Sequence, residues 1–174
     1  MNFDPSTVQT RVASPLGTIA IAATGKGLTG LWFTEGQRYL PVQLTGPAAW
    51  PEAHQHPLLT QVSRQLVEYF AGQRSHFDVA LDLACGTAFQ QSVWQALLAI
   101  PKGGTLSYGD VSRRIGKPAA MRAVGAAVGR NPVSIIVPCH RVVGGNGALT
   151  GYAGGLARKT ALLELEGARP MSLI

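Results

Sequence analysis

Cysteine is scarce: Cys85 and Cys139 are the only two in 174 residues. Two thiols without a secretion signal exclude a disulfide-stapled scaffold and fit a reducing compartment, so a cytoplasmic location is expected. The opening segment, MNFDPSTVQTRVASPLG, lacks a basic stretch followed by an apolar core and does not read as a signal peptide. Charges or glycines interrupt every apolar stretch before it reaches the length of a membrane span, so no membrane partner is expected. Charged residues make up only 14% of the chain against 46% hydrophobic, which excludes a disordered polyelectrolyte and leaves ample material for a core.

Acidic residues are nearly missing from the second half. From Thr87 onward Asp110, Glu164 and Glu166 face ten Lys and Arg, a net of +7, whereas up to Gly86 five basic residues face six acids, a net of −1. A basic half beside a neutral half is the electrostatic footprint of a nucleic-acid-binding domain. A merely well-solvated basic surface has the same composition.

The patterning divides at the same point. GTIAIAAT and GLTGLWFT read as two strands joined by a turn at Gly25–Gly27. Residues 36 to 57, rich in Pro, Gly and His, read as a long loop. Leu59, Val62, Leu66 and Phe70 recur at helical spacing, with Gly72 as the stop. HFDVALDL alternates as a further strand. The domain boundary falls near Gly86.

The second half reads as mostly helical. Thr87 is the N-cap of a helix that carries Phe89, Val93, Trp94, Leu97 and Leu98 on one face. SYGDVSRRIG is a short helix capped by Ser107, and PAAMRAVGAAVGRN is another, opened by Pro118 in its first turn. Two short helices across a Gly-Lys-Pro turn are a helix-turn-helix signature. The second helix is small-sided, with Ala119, Ala120, Ala123, Gly125, Ala126 and Ala127, which permits close backbone approach either to a partner or to the domain core. A last helix ends at Gly167.

IIVPCHRVVGGNG, between those helices, places Cys139 beside His140. A free thiol is mostly protonated near neutral pH, so nucleophilic use needs a base or a positive field. Neighbours in an extended segment point in opposite directions, so a Cys139–His140 link requires a bridging water or a turn. Glu166 is placed to orient the histidine. A packed core sulfur is the competing reading.

The segment NPVSIIVPCHRVVGGNGALTGYAGGLARKTALLELEG resembles the active-site region of the O6-alkylguanine-DNA alkyltransferases, the methylated-DNA–protein-cysteine methyltransferases. FQQSVWQALLAIPKGGTLSYGDVSRRIGKPAAMRAVGAAVGRNP is similar to the DNA-binding half of that family. The resemblance runs from about Phe89 to Gly167. It implies an α+β chain in two domains. Residues 1–86 would form an N-terminal α/β scaffold domain with a small antiparallel sheet and one helix. Residues 87–174 would form a mostly helical, winged-helix-like domain with the helix-turn-helix, which binds DNA and accepts the alkyl group.

The resemblance also assigns roles. Cys139 would accept the alkyl group in a single, irreversible transfer, His140 would act on it through a water, and Glu166 would complete the relay. Tyr108 would crowd the target nucleotide's phosphate and protonate the leaving guanine. Arg122 would fill the stack left by the flipped nucleotide, on a helix whose Ala120, Ala123 and Gly125 lie close to DNA. Asn131, Pro138, Val142, Tyr152, Ala153 and Gly154 would form the substrate pocket. Ala153 departs from members that carry a serine there, so a hydroxyl bond is lost and a backbone amide remains. The implied partner is double-stranded DNA, held in the minor groove with little sequence preference by a monomer. No cofactor is expected, and no metal, because residues 1–86 offer only Cys85, His54, His56 and His76. Three other readings fit parts of the pattern: a helix-turn-helix regulator with a structural cysteine, a lesion binder without transfer, and a cysteine hydrolase.

Overall fold

The computed structural model describes residues 1–168. The chain forms two compact units, Met1–Gly86 and Thr87–Ile174. The first holds a three-stranded antiparallel sheet, in the order β1 (Val8–Val12), β2 (Ile19–Ala23), β3 (Leu28–Phe33), followed by helix α1 (Pro57–Phe70).

Every residue of β2 and β3 is buried, because both faces of the sheet are covered. Side chains alternate between faces along a strand. Ala20, Ala22 and Trp32 therefore share one face, where Leu44 and Trp50 of the long loop pack on them. Trp50 stacks on Trp32 with centroids 6.1 Å apart, and Phe3 meets both rings edge-on. Glycine at position 30 makes this possible, since a Cβ there would lie 1.8 Å from the Trp32 ring. The opposite face, with Ile19, Ile21, Leu31 and Phe33, is left for α1, which packs on β2 and buries Leu59, Val62, Leu66 and Tyr69. The loop over residues 36–56 is thus an integral cover of the sheet. Gln9, buried in β1, fixes it by donating from Nε2 to the carbonyls of Leu44 (3.3 Å) and Trp50 (2.9 Å).

Strand β1 was not foreseen. HFDVALDL, expected to be a strand, is not one: it makes a single bridge, Leu28 to Leu81. Its neighbouring backbone groups are taken elsewhere. Gln65 of α1 accepts from the Asp78 amide at 3.0 Å and Gln61 donates to the Asp78 carbonyl at 2.6 Å. The approach to β3 is close, as a side chain at Gly27 would sit 2.7 Å from the Ala80 carbonyl oxygen.

The second unit contains α2 (Ala88–Leu98), α3 (Tyr108–Arg114), α4 (Met121–Gly129) and α5 (Leu156–Leu165), with a two-residue parallel pair of β4 (Leu106–Ser107) and β5 (Val142–Val143). Thr87 and Ser107 each form a reciprocal capping box, with Gln90 and Asp110. Helices α3 and α4 make the helix-turn-helix, and both pack on α2. Pro118 does not open α4. The helix starts at Met121, without a side-chain cap, because Lys117 to Ala120 form a turn closed by the Ala120 amide on the Lys117 carbonyl. Trp94 of α2 ties itself to α4 by donating its indole N–H to the Ala127 carbonyl at 2.9 Å.

Candidate active site

Cys139 lies in the second unit, at the end of a backbone path that is neither strand nor helix. The run Val133–Val137 closes on itself: the Val137 amide donates to the Val133 carbonyl, and the Ile136 amide to the Ser134 carbonyl across Ile135. Ile135 has φ +71°, a left-handed conformation that costs a β-branched residue on the order of 1–3 kcal/mol. Its side chain is buried, so core packing offsets the cost. Asn131 clasps the segment, accepting from the Val133 amide at 2.9 Å and donating to the Val137 carbonyl at 2.7 Å. Pro138 then turns the chain, and Cys139–Arg141 form one turn of 3-10 helix. The extended conformation expected around Cys139 is therefore replaced by a turn.

That turn is packed between α2 and α5. Cys139 is 4% exposed and His140 fully buried. Glu166 caps the C-terminus of α5 with its carboxylate inside the unit. His140 Nε2 lies 2.8 Å from Glu166 Oε1. An ionised carboxylate can only accept, so Nε2 carries the proton and Nδ1 is left as the acceptor. Nδ1 is buried and has no hydrogen-bond partner among the described residues.

Two charged residues join these, and neither was assigned a role from the sequence. Arg141 donates to both oxygens of Glu166, at 2.9 and 2.8 Å, and to the Ile100 carbonyl at 2.6 Å. Lys159, fully buried in α5, donates from Nζ to the carbonyls of Val142 (2.6 Å) and Gly151 (3.1 Å). The signal for buried Lys159, as for Glu166, was present in the last helix. Lys159, Leu162, Leu163 and Glu166 recur at i, i+3, i+4 and i+7, so Lys159 and Glu166 fall on the apolar stripe.

Electrostatics follow from burial and pairing. Burial raises the Cys139 thiol above its ordinary value, opposed by the Asn131 side chain and the Lys159 charge. Burial lowers His140, against the pull of Glu166, so the imidazole is neutral. Burial alone would raise Glu166, but hydrogen bonds and charge from His140 and Arg141 outweigh it and hold the carboxyl at about 2. Burial brings Lys159 down to about 8, with Cys139 acting the other way.

These shifts have a consequence for stability. Below the ordinary histidine value of 6.5 the unfolded chain takes up a proton that folded His140 refuses. Below 4.5 it takes up another that folded Glu166 refuses until about pH 2. Both terms remove stability as pH falls. We expect urea unfolding to show a loss on the order of 1–3 kcal/mol between pH 7.5 and 4.5. A flat profile over that range would contradict a neutral, buried His140.

Tyr108 opens α3 half-buried, its ring beside Gly125 of α4 at about 3.9 Å from where a Cβ would stand. Its hydroxyl donates to the Thr150 carbonyl at 3.1 Å, and burial raises its pKa. Thr150, Gly151, Tyr152, Ala153 and Gly154 belong to one loop, in which Tyr152 and Ala153 are half-buried and Gly154 is buried. Val142, fully buried, links this loop to the cysteine turn through Lys159. On α4, Arg122 and Ala123 are exposed and Gly125 half-buried, as is Ala120 just before the helix, so these four stand at the surface of the helix-turn-helix while Val124, Ala127 and Val128 face inward.

The second unit is thus a helix-turn-helix domain built around a buried thiol, and relatives of known kind share its whole plan. The family model described as "6-O-methylguanine DNA methyltransferase, DNA binding domain" matches residues 88–168, and its ribonuclease-like domain matches residues 8–83. The methylated-DNA–protein-cysteine methyltransferase of Mycobacterium leprae is 50% identical over 154 residues, covering 88% of each chain. That of Methanosarcina acetivorans is 49% identical over 88% of this chain and 94% of its own. Mycobacterium tuberculosis OGT, solved in complex with DNA, superposes with a TM-score of 0.81 at 48% identity, covering 92% of each chain. The chain belongs to the 6-O-methylguanine DNA methyltransferase family.

Proposed function

We propose that the chain repairs O6-alkylguanine in double-stranded DNA by moving the alkyl group onto Cys139, acting as a methylated-DNA–protein-cysteine S-methyltransferase. The observation that carries this is the buried Cys139–His140 turn joined to Glu166 at 2.8 Å within a helix-turn-helix unit. The target carbon lies inside the duplex, so the nucleotide is turned out, with Arg122 and the small-sided face of α4 against the minor groove. Contacts to phosphates give little sequence preference.

In the transfer a sulfur–carbon bond forms and the carbon–oxygen bond to guanine breaks. The thiol proton passes through a water to His140 Nδ1, with Glu166 holding the resulting imidazolium. Tyr108 gives its proton to the leaving guanine, and the Ala153 backbone amide bonds its oxygen. Asn131 and Pro138 set the path of the cysteine turn, and Val142, Tyr152 and Gly154 wall the pocket. The thioether product has no route back to a thiol here, so each molecule acts once, without a cofactor or a metal. Among the described residues no helix is long and apolar enough to cross a membrane. Two unpaired cysteines fit a cytoplasmic location, and the protein acts as a monomer. The test is intact mass after mixing with a duplex that carries O6-methylguanine: the gain is one methyl group, on the peptide holding Cys139. A methyl group on any other peptide, or none, rejects the reading.

Alkylation also loads a packed site. Overpacking by a small group costs about 1–3 kcal/mol against a net stability of about 5–15 kcal/mol. We expect the methylated protein to melt several degrees below the free form, at roughly 4–8 °C per kcal/mol for a domain of this size. The benzylated form should melt lower still. Unchanged melting of both adducts, compared by calorimetry, would show a roomy pocket instead.

A further inference from the structure

We propose that Arg141 is a positioning residue for the transfer: its guanidinium holds the Glu166 carboxylate as an anion turned toward His140 Nε2, and so fixes which imidazole nitrogen takes the thiol proton. The inference rests on the repair reading above. Its basis is the geometry of three neighbouring side chains. Nε and Nη2 of Arg141 grip the two carboxylate oxygens in parallel, at 2.9 and 2.8 Å, and Nη1 is anchored on the Ile100 carbonyl just beyond the end of α2. The carboxylate cannot rotate without breaking this grip, and Oε1 is the atom that also meets His140. A planar guanidinium gives such paired bonds, whereas a lysine ammonium gives a point charge.

The charges close as well as the geometry. Arg141 and Glu166 form a neutral pair, so neutral His140 completes a buried group without net charge. The charged groups acting on His140 are Glu166 at the end of α5, Arg141 on its own turn, and Lys159 from α5. Without the guanidinium, the buried Glu166 charge would be met by a proton on the imidazole, whose ordinary value of 6.5 exceeds the 4.5 of the carboxyl. An imidazolium cannot accept the thiol proton. Transfer would then be lost near neutral pH and return as the pH rises.

The test uses the full chain with Arg141→Met and Arg141→Lys. Nitrogen NMR of the imidazole reads the His140 titration without any substrate. Single-turnover transfer from free O6-benzylguanine reads the reaction without DNA. In Arg141→Met the His140 midpoint should rise by about two pH units or more, and the rate at pH 7 should fall about tenfold and largely recover by pH 9. Arg141→Lys keeps the charge but loses the paired bonds, so its midpoint and rate limb should move the same way by less. If Arg141→Met does not fold, that smaller shift decides. An unmoved His140 titration with a rate lowered equally at every pH overturns the proposal and leaves Arg141 a structural residue. A wild-type protein that transfers no alkyl group refutes the repair reading, and the titrations still decide whether Arg141 sets His140.

Discussion

Cys139→Ala is expected to bind a duplex carrying O6-methylguanine and to transfer nothing, while the wild-type protein plateaus at one methyl group per chain whatever the excess of substrate. The thiol stands on a turn fixed by Asn131, Pro138 and the strained Ile135, and its truncation removes one buried sulfur without touching the His140–Glu166–Arg141 cluster. Folding should therefore survive, and the loss should lie in the chemistry alone. Binding to DNA is measured by anisotropy and transfer by labelled methyl counts on the same preparation. Transfer by Cys139→Ala, or turnover of the wild type beyond one equivalent, contradicts the assignment. Cys85 lacks the setting of Cys139: the Asp82 charge adds to burial in raising its thiol, whereas at Cys139 the Lys159 charge opposes burial.

Arg122→Ala should slow repair in duplex DNA by about 100-fold and leave the reaction with free O6-benzylguanine within about twofold. Turning out a nucleotide costs a few kcal/mol, and a side chain that fills the gap offsets part of it, with each 1.4 kcal/mol worth about tenfold in rate. Arg122 is exposed near the start of α4, next to exposed Ala123 and away from the buried face of Val124, Ala127 and Val128, so the substitution leaves the core alone. The free base needs no flipping and provides the control. Equal loss on both substrates would place Arg122 in the pocket or in folding, and equal rates on both would remove it from the DNA step.

Much of this could be read from the chain because local signals agreed with the fold. Thr87 and Ser107, the N-caps expected from the sequence, cap α2 and α3 in space. The apolar spacing from Leu59 to Leu66 is the buried face of α1. Pro118 misled because a proline that suits a first helical turn also suits the turn before it. Strand β1 was hidden by the polar residues of VQTRV, whose Gln9 is buried for its hydrogen bonds and not for its hydrophobicity. The cysteine turn was hidden more deeply. An isoleucine is among the least expected residues at positive φ, so nothing in SIIVPCH announces the reversal at Ile135; long-range packing imposes it. Arg141 was invisible for a related reason, since a buried cation is legible only once its carboxylate, 25 residues away, is seen beside it.

The clasp that Gln9 places on the long loop bears on how the chain can be altered. Leu44 and Trp50 are both secured against the sheet, and exposed Pro47 and Ala48 stand at the tip of the turn between them, which the Ala49 amide closes on the Gly46 carbonyl at 3.1 Å. Doubling the length of a surface loop costs only about 0.6 kcal/mol. An epitope or a fluorescent label inserted at Pro47 would therefore ride on the first unit without loosening the tryptophan stack, and would give a handle on the protein remote in sequence from the thiol it carries.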